Sequence, residues 1–123
     1  MDNPYAIIIE DDKNTADIFS AALKTSGYET EIVSDGYEAQ QRLMEVVPTL
    51  VILDLHLPNI TGDKILDQII GDERLSETFV VIASADARLT KYQQYKKEDR
   101  LFSLLKPVSF DQLSILSARL LRS

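Results

Sequence analysis

The sequence predicts an α/β fold in which a five-stranded parallel sheet carries helices on both faces. Three observations support this class. Continuous apolar runs at 6–9, 50–53 and 79–83 are typical of strands that are buried on both sides. Between these runs lie segments whose apolar residues recur at helical spacing. The two kinds of segment alternate, five of each, which is the pattern of a parallel sheet with crossover helices.

The elements follow one another without a repeat, a linker or a low-complexity segment. The strands are predicted at 6–9, 28–33, 50–54, 79–83 and 101–105. The helices are predicted to contain the apolar positions within 18–23, 39–47, 65–70, 87–97 and 113–120. Gly27 and Gly71 are stop signals after two of these faces, and Ser109 with Gln112 fits a capping box at the start of the last helix. The 123 residues are therefore expected to form one domain, 1–123.

The composition excludes several kinds of function. The chain has no cysteine, which rules out disulfides and thiol catalysis and fits a reducing cytoplasm. His56 is the single histidine, so a histidine-based metal cluster is impossible. No apolar run approaches the roughly 20 residues that span a bilayer, and the N-terminus lacks the features of a signal peptide. We therefore expect a cytoplasmic protein that makes no contact with a membrane.

The charges are unevenly distributed. The net charge of −7 argues against direct nucleic-acid binding by this domain. Residues 1–87 carry 5 basic and 17 acidic side chains, a net of −12, whereas residues 88–123 carry 8 basic and 3 acidic ones, a net of +5. Such an asymmetry marks either a functional polarity or a chance placement of charges on solvated helices.

Polar and charged residues stand where the predicted strands end. Because all strands of a parallel sheet point the same way, their carboxyl ends meet at one edge, where open α/β sheets bind ligands. The residues gathered there are Glu10, Asp11, Asp12, Asp54, Ser84 and Lys106. Clustered carboxylates repel one another unless a cation joins them, and hard oxygen ligands favour Mg²⁺ or Mn²⁺. With a lysine and a hydroxyl, this edge holds the groups needed for phosphoryl transfer to an aspartate, with Asp54 attacking in line.

Each of these residues also has an ordinary explanation when it is taken alone. Asp54 could start the turn before Pro58, Asp12 could complement a helix dipole, and Ser84 could cap a strand end. Lys106 could be a solvated side chain. Their joint placement at one sheet edge favours the phosphoryl site.

With these residues at the strand ends, the chain resembles the receiver domains of two-component response regulators, over essentially all 123 residues. The motifs are Glu10-Asp11-Asp12 after the first strand, Asp54-Leu55-His56-Leu57-Pro58 with Gly62, Ala83-Ser84-Ala85, and Lys106-Pro107. The resemblance implies a flavodoxin-like (βα)5 fold, with Asp54 as phosphoacceptor and with Lys106 and Ser84 holding the phosphoryl group. It further implies that Mg²⁺ or Mn²⁺ is bound by Asp11, Asp54 and the backbone carbonyl of His56, and by Glu10 through a water.

One departure from the family concerns the switch position. Family members usually carry Tyr or Phe three residues before the lysine of the last strand, and here that residue is Ser103. Phe102 cannot simply replace it, because neighbouring residues of a strand point to opposite faces. The phosphorylation chemistry is therefore expected to be intact, whereas the means of transmitting it is in question.

The predicted function is a receiver domain that accepts phosphate from a histidine kinase or phosphotransfer protein. It would catalyse only its own phosphorylation and dephosphorylation. Its signal would pass to a downstream protein, or to a second copy, through the basic face of residues 88–122. Either backbone movement of residues 85–100 or repacking of Tyr92 or Tyr95 would carry the change. One alternative is a receiver-like interaction module that works without phosphate. An aspartate-nucleophile phosphatase is a weaker alternative, because His56 stands where such enzymes carry a second aspartate. A nucleotide-binding protein is disfavoured, since no glycine-rich phosphate loop follows the first strand.

Overall fold

The computed structural model describes residues 3–85, 94, 95 and 97–122. In chain order the elements are β1 (Tyr5–Ile9), α1 (Lys13–Thr25), β2 (Glu29–Val33), α2 (Gly36–Glu45), β3 (Leu50–Asp54), α3 (Gly62–Ile70), a 3₁₀ turn (Glu73–Leu75), β4 (Phe79–Ser84), β5 (Leu101–Leu105) and α4 (Phe110–Leu120). The helix predicted over 87–97 falls largely outside the described residues. Within the described ranges, no helix is long and apolar enough to cross a membrane.

The five strands form one parallel sheet in the order β2-β1-β3-β4-β5. This order confirms the predicted fold class, an open flavodoxin-like sheet with helices on both faces. β3 lies at the centre and all five of its residues are buried, which explains its unbroken apolar sequence. All strands end at the same edge, which we call the carboxyl edge.

The hydrophobic core is divided by the sheet into two layers. One layer packs α2 and α3 against the sheet through Ala39, Leu43, Ile65, Leu66 and Ile69. The other packs α1 and α4 through Ala16, Phe19, Leu23, Leu113 and Leu120. Ile18, which its spacing includes in the apolar face of α1, is instead 48% exposed, because the face turned to the sheet includes Ala16 and Phe19.

The helix boundaries follow the capping signals. The Ser109 hydroxyl accepts from the Gln112 backbone N–H while the Gln112 side chain accepts from the Ser109 N–H, so the predicted capping box is present at the start of α4. Asp12 caps α1 and Asp35 caps α2, each by a side-chain oxygen that accepts from a backbone N–H three residues later. Tyr28 precedes β2 rather than opening it, and its buried hydroxyl donates to the backbone oxygen of Ser117, 2.9 Å away on α4.

Candidate functional site

The predicted site residues lie at the carboxyl edge. Glu10 follows β1 directly and is 2% exposed, Asp54 is the last residue of β3 and is 5% exposed, and Ser84 is the last residue of β4 and is fully buried. Lys106 follows β5, and its backbone N–H donates to the Ser84 oxygen at 2.8 Å. Residues up to 96 positions apart in sequence are therefore neighbours, because the strands that carry them are parallel and end at the same edge of the sheet.

Three carboxylates converge at this edge. One side-chain oxygen from each of Glu10, Asp11 and Asp54 lies within 4.8 Å of the other two. Two of these groups are buried, so their mutual repulsion is weakly screened by water. A set of carboxylate oxygens without sulfur or imidazole suits a hard divalent ion such as Mg²⁺ or Mn²⁺. The sequence prediction placed these residues together, and the geometry fits such an ion.

Lys106 supplies the positive charge of the cluster. Its Nζ lies 2.5 Å from Glu10 Oε1 and 3.4 Å from Asp54 Oδ2. Burial alone would lower the pKa of Lys106, but the hydrogen bond to Glu10 and the charges of both carboxylates outweigh it and raise that pKa. Burial raises the pKa of Glu10 above its ordinary value, and the hydrogen bond from Lys106 offsets this only in part. The lysine is therefore held in its charged form between two acids.

The loop after β3 orients Asp54. The His56 backbone N–H donates to Asp54 Oδ1 at 2.9 Å, while Asp54 Oδ2 faces Lys106. The two carboxylate oxygens thus have different neighbours, one a backbone amide and the other an ammonium. The His56 residue itself is exposed.

Asp12 does not join the carboxylate cluster. Its Oδ2 accepts from the backbone N–H of Thr15 at 2.9 Å and from the Thr15 hydroxyl at 2.5 Å. The hydrogen bond from the Thr15 hydroxyl lowers the pKa of Asp12, with the backbone bond as the next cause. Asp12 therefore caps α1 by hydrogen bonding, at the helix N-terminus where the sequence analysis expected its charge to complement the dipole.

Two glycines, Gly62 at the start of α3 and Gly36 at the start of α2, lie against the loop after β3. A Cβ on Gly62 would lie 2.5 Å from the backbone oxygen of Asp54 and 2.5 Å from Leu55 Cα. A Cβ on Gly36 would lie 2.3 Å from the backbone oxygen of Ile60. The starts of α3 and α2 therefore pack directly on the backbone around the site, closer than any other residue type permits.

Ser103, the departure from the family pattern, and Phe102 lie on opposite faces of the sheet. Leu101 belongs to the core layer of α2 and α3, and Phe102 packs on the layer of α1 and α4. Strand alternation places Ser103, half-buried and opposite Ile82, on the α2 and α3 side. Phe102 therefore points away from the face on which an aromatic residue at 103 would lie, as the sequence predicted.

Taken together, the fold and the edge define an open α/β protein with an acidic, lysine-containing site at the carboxyl ends of its strands. The chain matches the family model of the response regulator receiver domain over residues 6–116. It belongs to the receiver domain family of two-component response regulators. Phosphorylation on an aspartate with Mg²⁺ is the general property of this family.

Individual relatives agree with this family. The chain is 29% identical over 120 residues to the two-component response regulator ORR5 of Oryza sativa subsp. japonica, covering 97% of this chain and 90% of that protein. It is 32% identical over 82 residues to the DNA-binding dual master transcriptional regulator RpaA of Synechocystis sp., covering 67% of this chain but only 34% of RpaA. Among solved structures, it resembles the signal receiver domain of a protein described as a Luxo repressor, from Vibrio parahaemolyticus, with 28% identity and a TM-score of 0.84, covering 97% of this chain and 90% of that one.

Proposed function

We propose that Asp54 is the phosphoacceptor and that a partner histidine kinase or phosphotransfer protein is the donor. The observation that carries this proposal is the position of Asp54, buried beside Lys106 and within reach of the carboxylates of Glu10 and Asp11. An oxygen of Asp54 attacks the phosphorus, and the bond from phosphorus to the donor breaks. Lys106 neutralises charge on the transferred group, and Ser84 offers a hydroxyl to it.

We assign Mg²⁺ or Mn²⁺ to the same carboxylates. Receiver domains bind these ions at an acidic site. In this chain Asp11 and Asp54 would be direct ligands, the backbone oxygen of His56 a third, and Glu10 a ligand through water. When bound, the ion polarises the phosphoryl oxygens and offsets their negative charge. The domain acts on no external substrate in this proposal, and it works in the cytoplasm, which fits the absence of cysteine.

Mass spectrometry after treatment with a small phosphodonor tests the phosphoacceptor. The chain should gain the mass of one phosphoryl group with Mg²⁺ and should not gain it with EDTA. Asp54→Asn should abolish the gain, whereas Asp111→Asn, on the exposed first turn of α4, should retain it. An equal gain in mass in Asp54→Asn would contradict the assignment of Asp54 as the phosphoacceptor.

The output surface is proposed on the basic face of residues 88–122. Among its described residues, Lys97 and Arg122 are exposed, and the region carries a net positive charge against an otherwise acidic chain. Arg100 is a poor candidate, because its guanidinium donates to the backbone oxygens of Leu75 and Thr78 and so holds the protein together. An acidic partner surface, including that of a second copy, fits this face.

Charge reversal at Lys97 and Arg122 tests the output surface through self-association. Sedimentation would be measured at two salt concentrations, with and without beryllofluoride as a phosphoryl mimic. The charge-reversed variants should associate more weakly than wild type, and their association should no longer depend on salt. Lys24→Glu, at the last turn of α1, is the control and should associate as wild type does. Equal association in all variants would place the contact elsewhere.

An interaction module that works without phosphate is the second candidate, and Ser103 is the observation that favours it. Its test is the same mass measurement combined with the beryllofluoride arm. A chain that takes up neither phosphate nor the mimic, and still associates, would support this candidate over the first.

A further inference from the structure

The half-buried face left without an aromatic residue at 103 contains a tyrosine from another part of the chain. Tyr95 packs against the core layer of α2 and α3. Its hydroxyl donates to Asp67 Oδ1 on α3 at 2.6 Å. The hydrogen bond to Asp67 is the largest cause that raises the pKa of Tyr95, which agrees with a strong bond to a charged acceptor. Tyr95 is thereby attached to α3.

The other end of α3 lies on the phosphoacceptor. The Gly62 backbone N–H donates to the Leu55 oxygen at 3.0 Å, and the absence of a Cβ lets Gly62 lie against the Asp54 backbone. Asp67 is five residues further along the same helix, about 7.5 Å at 1.5 Å per residue. Because a short helix moves as a unit, a shift of the loop after Asp54 displaces Asp67 as well.

Tyr95 also follows the site in sequence, because it comes eleven residues after Ser84, which lies at the carboxyl edge. A phosphoryl group on Asp54 adds charge and acceptor oxygens beside Ser84 and Lys106. The Asp67 end of the Tyr95–Asp67 hydrogen bond is joined through α3 to the loop after Asp54, and the Tyr95 end follows β4 along the chain.

We propose that the hydrogen bond between Tyr95 and Asp67 holds the unphosphorylated arrangement and that phosphoryl uptake at Asp54 weakens it. Tyr95 then serves as the residue whose repacking carries the signal to the face of residues 88–122, where Ser103 cannot. This inference rests on the proposed phosphorylation of Asp54. Since the bond favours one state over the other, its removal shifts the equilibrium toward the phosphorylated arrangement. By thermodynamic linkage, the hydrogen bond lowers the affinity for the phosphoryl group by the same factor by which the phosphoryl group weakens the hydrogen bond.

The experiment compares the affinity for beryllofluoride with Mg²⁺, measured by titration calorimetry, in Tyr95→Phe, Asp67→Asn and the double variant. Each single variant should bind about threefold to tenfold more tightly than wild type, the range expected for one lost hydrogen bond. The double variant should bind no more tightly than either single one, because both remove the same bond. That non-additivity separates this bond from the other interactions of Asp67.

Tyr5→Phe is the matched control. The Tyr5 hydroxyl also donates to a carboxylate, that of Glu31, but it lies at the start of β1, at the opposite end of the sheet. Its affinity for beryllofluoride should equal that of wild type. A second readout is fluorine NMR of the protein with 3-fluorotyrosine, in which the resonance missing from Tyr95→Phe identifies Tyr95. This resonance should move when beryllofluoride and Mg²⁺ are added to wild type, and the resonance of Tyr5 should not.

The possible outcomes distinguish a failure of this inference from a failure of the proposed phosphorylation of Asp54. If wild type takes up the mimic but Tyr95→Phe binds it as wild type does, or the two single effects add fully in the double variant, the inference is wrong and the phosphorylation site stands. A wild-type chain that takes up neither the mimic nor a phosphoryl group overturns both.

Discussion

Adding one methyl group at Gly62 should loosen the attachment of α3 to the phosphoacceptor. The Cβ of Gly62→Ala would meet the Asp54 oxygen and the Leu55 Cα at 2.5 Å, and both are backbone atoms that cannot rotate away. Since carbon atoms pack at about 3.5 Å or more, the helix or the loop must move by roughly 1 Å. Such overpacking costs about 1–3 kcal/mol, and the better helix propensity of alanine returns at most about 1 kcal/mol.

From the middle of the overpacking range, the expected net loss is about 1–2 kcal/mol in the free energy of unfolding. Urea unfolding measures this directly, and for a domain of this size each kcal/mol lowers the melting temperature by about 4 °C. The displaced loop also carries His56, so the stabilisation by millimolar Mg²⁺ should be smaller in Gly62→Ala than in wild type.

Gly71→Ala, at the other end of α3, is the control. Its nearest contact would be the Asp67 oxygen at 3.2 Å and its backbone is right-handed helical, so its unfolding free energy should change by less than about 0.5 kcal/mol. Equal stability and equal Mg²⁺ response in Gly62→Ala and wild type would refute the argument that this helix bears on the Asp54 backbone.

Two further predictions concern buried polar groups. Burial raises the pKa of Tyr28 from 10.0 to about 12, so the folded state keeps the neutral phenol. The associated stability is complete below pH 10 and falls by about 3 kcal/mol between pH 10 and 12. Urea unfolding from pH 8 to 11.5 should show this fall, and Tyr28→Phe should flatten it; identical slopes in both chains would contradict it. Lys106→Met leaves Glu10 and Asp54 without their cation, so without metal it should be less stable than wild type by about 1–3 kcal/mol. Mg²⁺ should raise its melting temperature more than that of wild type, and equal shifts would mean that the lysine does not balance these carboxylates.

The class of fold and the edge that holds the site were both predictable from the amino-acid sequence. A strand covered on both faces must be apolar at every position, so β3 and β4 are recognisable from composition alone. A charged residue at the end of such a strand has to be paired or to bind a ligand, because burial is costly. Parallel strands then bring these ends together, and for this reason the cluster of Glu10, Asp11, Asp54 and Lys106 was predictable.

Which of the neighbouring acids belong to the site depends on the folded structure. Asp11 and Asp12 are adjacent and chemically identical, yet Asp11 joins the cluster and Asp12 caps α1. The difference lies in the direction that each side chain takes as the chain leaves β1, and no periodicity in the sequence encodes that direction. The same holds for the exposure of Ile18, since the rotation of α1 against the sheet decides which residues of an apolar stripe are covered.

Contacts between distant parts of the chain were also beyond the sequence. Gly62 is indistinguishable from a turn glycine until the backbone of Asp54 is found against it, and Arg100 is a surface charge until its backbone acceptors are located. The hydrogen bond of Tyr95 to Asp67 joins residues 28 positions apart on elements with no common pattern. Composition and spacing record which groups each element carries, whereas these contacts depend on how closely the elements pack, and only the folded chain sets those distances.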